Sequence, residues 1–243
     1  MRNAMLGFTV ALVIMTVITI AQAQTAGFSI QKASPALAQA TTNQAPPQAR
    51  KDPTVVEEKT SAAPANEPEE HFRKARESFL KKDFKAAAAE IRKGEAILKS
   101  ETRHATEEAK EALTASSREL ETLAQGVEKG TVTSTQELRR AFARADLALA
   151  KQHYQKAAAS WSKKEIKKAG HELKAAANDV ELASAWGGHK LEATTAAVIK
   201  DARAVAAKLI EETSRTTDEV SKGLDAVGKE IGKLGEQMAA AKI

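Results

Sequence analysis

The segment HFRKARESFLKKDFKAAAAEI, residues 71–91, returns 82 residues later as HYQKAAASWSKKEIKKAGHEL, residues 153–173, without a gap. Nine of the 21 positions are identical, where about two would be expected by chance in a stretch so rich in Ala and Lys. The substitutions keep their character: Phe72 is matched by Tyr154, Phe79 by Trp161, Asp83 by Glu165, Phe84 by Ile166 and Ile91 by Leu173. A chain that carries one unit twice must adopt an architecture in which that unit packs twice, so the duplication limits the fold before composition is considered.

The unit is helical. Order is expected to begin near Pro68, a residue tolerated in a first helical turn, with Asn66 as its cap, and no proline follows as far as residue 240. Apolar residues recur at spacings of three and four, with no sustained alternation of the kind a strand requires. Within the repeat, the stripe His71, Ala75, Phe79 would continue at 82 or 83, yet those positions are charged in both copies and the next large apolar residue is Phe84 or Ile166. Five residues at about 100° each place that side chain roughly 140° out of phase, so one straight helix cannot bury both sets. The Lys-Lys-Asp/Glu stretch must bend, which makes each copy a helix hairpin.

The second hairpin helix is expected from 84 toward about 102, and from 166 toward Ala185, where Gly187-Gly188 stops it. In the first copy Ala105-Thr106 replace the glycines. A seam through Leu98, Ala105, Ala109, Leu113, Leu120, Leu123 and Val127 fits either one long helix over 84–128 or two, ended in both cases by Gly130. Ser134-Thr-Gln-Glu137 and Thr216-Thr-Asp-Glu219, again 82 apart, have the pattern of capping boxes. Seams through Leu191, Thr195, Val198, Ala202, Val205 and Leu209, and through Val220, Leu224, Val227, Ile231, Leu234 and Met238, supply two further coiled-coil-like helices. The expected fold is an all-α, elongated helical bundle of two tandem units of about 82 residues. Unit one spans 68–150 and unit two 151–243, joined by a shared helix at about 135–162.

The rest of the chain reads as an address and a tether. Arg2, the apolar run Met5–Ile20 and Ala21-Gln22-Ala23 have the form of a secretory signal over 1–23, cleaved after Ala23, with an uncleaved membrane anchor as the alternative. Residues 24–67, rich in Ala, Gln, Thr and Pro, read as a disordered linker. The signal, cleaved or not, implies a periplasmic or secreted location. Absence of cysteine excludes disulfides, thiolate metal sites and cysteine nucleophiles. The residues after the linker carry 32 basic and 28 acidic side chains, a mixed surface rather than the one-signed field of a nucleic-acid binder.

Ala75, Phe84, Ala87, Ile91 and Gly94, echoed by Ala157, Ile166, Ala169, Leu173 and Ala176, resemble the spacing of a tetratricopeptide-type hairpin, although the period of 82 differs from that family's 34. With its Lys-Lys-Asp-Phe turn and export signal, the stretch also resembles the helical periplasmic YfdX family. That resemblance implies a role in envelope stress; it covers about 28 residues per copy and transfers no site residues.

Among residues that might carry chemistry, Phe72, Phe79, Phe84, Tyr154 and Trp161 are read as core, since aromatic side chains bury the most area. His71 and His153 occupy equivalent positions and are the candidate ligands for a copper, zinc or nickel site; His171 and His189 flank the Gly-Gly break, and Glu101 and His104 share a helical spacing. Lys81, Lys82 and Lys85 recur as Lys163, Lys164 and Lys167, with Lys168 added, and form a candidate basic patch for an anionic surface such as lipid head groups. Gly228, Gly232 and Gly235 line the last helix with Ser221, Asp225 and Ala239, which requires either a close neighbour or a loose terminal helix. No nucleophile elbow, zinc-protease helix or phosphate loop is present, so no catalytic residue and no cofactor is expected.

These features point to an exported, non-enzymatic scaffold or binding protein that presents helix faces to a protein partner or self-associates through its seams. A histidine-based metal binder and an amphipathic lipid or membrane-surface binder are the alternatives, and no nucleic-acid partner is expected.

Overall fold

A computed structural model describes residues 67–188, 192–213 and 216–240. The expected signal sequence, most of the linker, the Asn66 cap, His189 and Leu191 lie outside the described residues. Among the described residues there are seven helices and no strand: α1 Glu67–Leu80, α2 Phe84–Arg103, α3 Glu107–Glu128, α4 Thr135–Ser162, α5 Ile166–Gly187, α6 Ala193–Ile210 and α7 Thr217–Ala240. The described residues form an all-α helical bundle. Adding 82 to the first residue of α2 gives the first residue of α5, and adding it to the first residue of α4 gives the first of α7. The same shift lays α1 over the last half of α4 and α3 over α6. α4 is thus the fourth helix of one unit and the first of the next.

The lysine bends account for this periodicity at the level of hydrogen bonds. Lys82 and Lys164 adopt left-handed conformations, with φ of 61° and 62°. Lys82 N donates to Phe79 O at 3.0 Å and Asp83 N to Ser78 O at 2.9 Å; Lys164 and Glu165 repeat both bonds, to Trp161 and Ser160, at the same distances. This nested pair is the Schellman arrangement, which closes a helix by satisfying its last carbonyls. Gly130 (φ 70°) and Glu212 (φ 53°), also 82 apart, end α3 and α6 in the same way, with Thr131 N on Gly126 O and Thr213 N on Lys208 O. The copied feature is therefore the set of helix stops, and these stops fix where the hairpins turn. The capping pattern differs slightly between copies: Ser134 Oγ accepts from Gln136 N, whereas Thr216 Oγ1 accepts from Glu219 N.

Residues 84–128 form two helices. α2 ends at His104, and Thr106 caps α3 by accepting from Ala109 N. The break is held from a distance: fully buried Gln152 of α4 accepts from Thr106 N and donates to His104 O, and Gln155 bonds the Thr106 hydroxyl.

The core follows the duplication. One apolar cluster joins α1, α2, α3 and the first half of α4, as far as Leu149; a second starts at Ala150 and joins the rest of α4 to α5, α6 and α7. Phe72 stacks on Phe142 with centroids 4.4 Å apart, and Phe142 meets Trp186 edge-on at 5.2 Å. The middle of α4, from Leu138 to Ala150, is buried on almost every side because it serves both clusters, and small alanines let its neighbours approach. A third, small cluster of Ala143, Ala183, Leu234 and Met238 ties α4, α5 and α7 together. The apolar seams expected for α3, α6 and α7 face inward wherever they are described, with Ala105, Val198 and Ile231 only partly buried. None of the described helices is long and apolar enough to cross a membrane.

Candidate functional site

The two lysine turns do not form one patch. Lys82 lines a groove with Ser134 and Thr135 at the start of α4, whereas Lys163 and Lys164 follow its end. A helix of 28 residues at 1.5 Å per residue separates them by roughly 40 Å. In the second turn Lys167 is 3.3 Å from Glu212 and Lys168 is 3.2 Å from Glu165, so part of that charge is already compensated. Lys81, Lys82, Lys85, Lys163 and Lys164 are exposed. Beside the first turn lies Leu80, 56 % exposed and the one exposed large apolar side chain among the described residues. It borders a groove of about 480 Å³ whose walls include Phe79, Phe84 and Val132. Its counterpart in the second copy is Ser162.

The equivalent histidines have equivalent partners. His71 Nδ1 lies 2.7 Å from Glu90 Oε2 of the same hairpin, and His153 Nδ1 lies 2.7 Å from Glu172 Oε2. Each pair ties the first helix of a hairpin to the second. Burial opposes ionisation of Glu90, yet the bonds from Lys93 and His71 outweigh it and lower the carboxyl pKa. Burial likewise disfavours the His153 imidazolium, but the bond to Glu172 and the charges of Asp179 and Glu172 raise its pKa. His104 is an exposed residue at the end of α2, while Glu101 is taken by Lys156 at 2.7 Å; His171 is exposed on α5. Among the described residues no group of three or more histidine or carboxylate side chains is arranged to hold a metal ion, and His71 and His153 sit in separate hairpins.

The densest chemistry lies where the two units join. Asp146 of α4 is 1 % exposed and Asp179 of α5 is 3 % exposed, and the Oδ2 atom of each is buried without a hydrogen-bond partner. His153 Nε2 is 3.8 Å from Asp179 Oδ2. Burial, opposed by His153 and helped by Glu101 and Glu172, pushes the Asp179 carboxyl up to about 7. Burial, then Asp179 and Glu69, hold the Asp146 carboxyl well above its ordinary range. Glu69 is itself raised by burial, against the pull of the Trp186 indole N–H, which donates to it at 2.7 Å, and of Arg73. An unpaired buried carboxylate is costly enough that taking up a proton is the usual relief.

The acids were hidden from repeat comparison, because their counterparts are Gly228 and Ile97. The available signal was Asp146 itself, a lone acid in the alanine- and leucine-rich stretch Ala141–Ala150. The histidine–glutamate pairs were legible, since both members are identical in the two copies. In the last helix only Gly228 meets a very close neighbour: a Cβ there would lie 2.9 Å from the Tyr154 ring and hydroxyl, whereas one at Gly232 would meet nothing within 4 Å. The described chain thus falls in the class of tandemly duplicated helical bundles with a polar joint. Compared with family models, curated proteins and solved structures, it gives no match.

Proposed function

We propose that this protein is an exported, non-enzymatic helical scaffold that binds a protein partner of the cell envelope through the tip of its first hairpin. The observation that carries this reading is the exposure of Leu80. The remaining large apolar side chains of the described residues are at least partly covered, so the seams are spent on the bundle itself and this tip is what is left. An exposed leucine beside a groove walled by Phe79, Phe84 and Val132 and rimmed by exposed Lys82, with exposed Lys81 next to it in the chain, has the make-up of an anchor pocket with a charged rim. The second hairpin keeps the lysines and the bend but replaces the leucine with Ser162, so the chain contains its own control.

The test is site-specific photocrosslinking of the full chain in cells that export it. A photoreactive residue at 80 yields one discrete adduct, identified by mass spectrometry, that the same residue at 162 does not yield. Adducts of equal number and yield at both positions, or none at 80, would defeat the reading.

A further inference from the structure

We propose that Asp146, Asp179 and His153 form a proton-responsive joint between the two halves of the bundle, closed when the aspartates hold protons and loosened when both ionise. The inference is independent of the partner reading above. It stands first on position: Asp146 and His153 lie on the middle of α4, the helix shared by both units, and Asp179 lies on α5, packed against it. It stands second on two buried carboxylate oxygens without hydrogen-bond partners, one from each helix of that seam. Third, the duplication supplies a comparison, because the first hairpin has the same histidine–glutamate pair, His71 with Glu90, but Ile97 where Asp179 would be. The aspartates have no counterpart in the other copy, so the copied framework does not depend on them.

Counting charge around the joint decides the sign. α1 contributes Glu69 and, acting on it, Arg73; α2 contributes Glu101; α4 contributes Asp146, His153 and Lys156; α5 contributes Glu172 and Asp179. The charged groups that shift the two aspartates most come from α1, α2, α4 and α5, and none of them from α3, α6 or α7. Lys156 is engaged by Glu101 and His153 is shared with Glu172, so no cation remains for Asp146. With both aspartates ionised, Asp146 meets the Asp179 charge with no cation of its own, and Asp179 has only an imidazolium that it shares with Glu172, in a water-poor seam, which favours parting of α4 from α5 so that solvent enters. A proton on each carboxyl removes the conflict, and a protonated carboxyl also gains a donor. The expected state is a tight joint in mildly acidic surroundings and a looser one above neutrality, with the His153–Asp179 contact determining how sharply it changes.

The experiment uses the full chain and the Asp146→Asn, Asp179→Asn and doubly substituted variants. Carboxyl carbon shifts measured by NMR are followed from pH 4 to 9, alongside amide exchange at residues 142–153 and 172–184. The wild type is expected to show at least one aspartate titrating above pH 6. Its exchange in both segments is expected to exceed that of the double variant by roughly tenfold or more at pH 8, and to match it at pH 5. Comparing the two proteins at one pH cancels the intrinsic base catalysis of exchange. Titration of both aspartates below pH 5, or equal exchange in the two proteins across the range, overturns the proposal. Because the titration is made on the wild type, the proposal stays testable even if a variant fails to fold.

Discussion

Replacing Gly170 by alanine tests how closely α5 and α6 pack. A Cβ at this position would lie 2.8 Å from Leu209 Cβ, 2.9 Å from the Ala206 carbonyl oxygen and 2.9 Å from Ile210 Cγ1. Carbon atoms rest at about 3.5–4.0 Å, so α6 would have to move away by roughly half an ångström or more. A backbone carbonyl inside a helix cannot yield alone. Overpacking of this kind costs about 1–3 kcal/mol, while alanine recovers about 1 kcal/mol of helix propensity. Three contacts under 3.0 Å at once, one of them to backbone, place the cost in the upper half of that range, so the net loss is about 1–2 kcal/mol, or about 2–8 °C in Tm for a chain of this size. Gly232→Ala reverses the sign: the added methyl meets nothing within 4 Å, so only the propensity gain of about 1 kcal/mol remains. Thermal unfolding followed by circular dichroism, with urea midpoints as a second measure, reads both variants. Gly170→Ala equal to or more stable than the wild type would refute the close approach, and Gly232→Ala less stable than the wild type would refute the open face of α7.

Three further outcomes follow from the same geometry. Lys82→Gly and Lys164→Gly each relieve a left-handed lysine and are expected to raise stability by about 1 kcal/mol; a loss at either site in urea titration would mean that the bend is not left-handed there. Phe72→Ala removes a fully buried ring stacked on Phe142 and should cost about 3–5 kcal/mol, with a loss below 1 kcal/mol by chemical denaturation contradicting the core assigned to the first unit. The joint predicts the pH profile of stability. Asp179 has its folded pKa raised from its ordinary value to about 7, so the folded chain holds the extra proton between the two values and stability falls as pH rises through that window. His153, also raised, contributes stability that is complete below its unfolded pKa and is lost as pH passes its folded one, in the same direction. At about 1.4 kcal/mol per unit the Asp179 contribution is bounded near 4 kcal/mol. A wild-type Tm that climbs steadily from pH 5 to 8 has the wrong sign.

What the sequence made legible was whatever repeats or obeys helical phase. The lysine bends were readable because Phe84 and Ile166 are out of step with the stripe before them, and the shared helix because both the capping residues and the hairpins recur at 82. The break between α2 and α3 was not readable. Ala105-Thr106 carries no glycine or proline, and the turn is held by Gln152 and Gln155, more than 40 residues away. Asp146 and Asp179 were missed for a related reason. In a linear pattern an aspartate looks solvated, and only the wrapping of α4 by both units buries it. The lysines looked like a single basic patch because their copies are alike, yet α4 holds them at its two ends. The equivalent histidines are legible in the sequence, and so are their partners, since Glu90 and Glu172 are the same residue in both copies.

The central claim is that the two halves fold alike around one shared helix. Since the chain has no cysteine, spin labels can be placed in pairs without background, one pair at 77 and 111 and the other at 159 and 193, positions that are exposed in both copies. Distances measured by pulsed electron resonance should coincide within the spread of the label itself. Two clearly separate distance distributions would contradict the duplicated architecture.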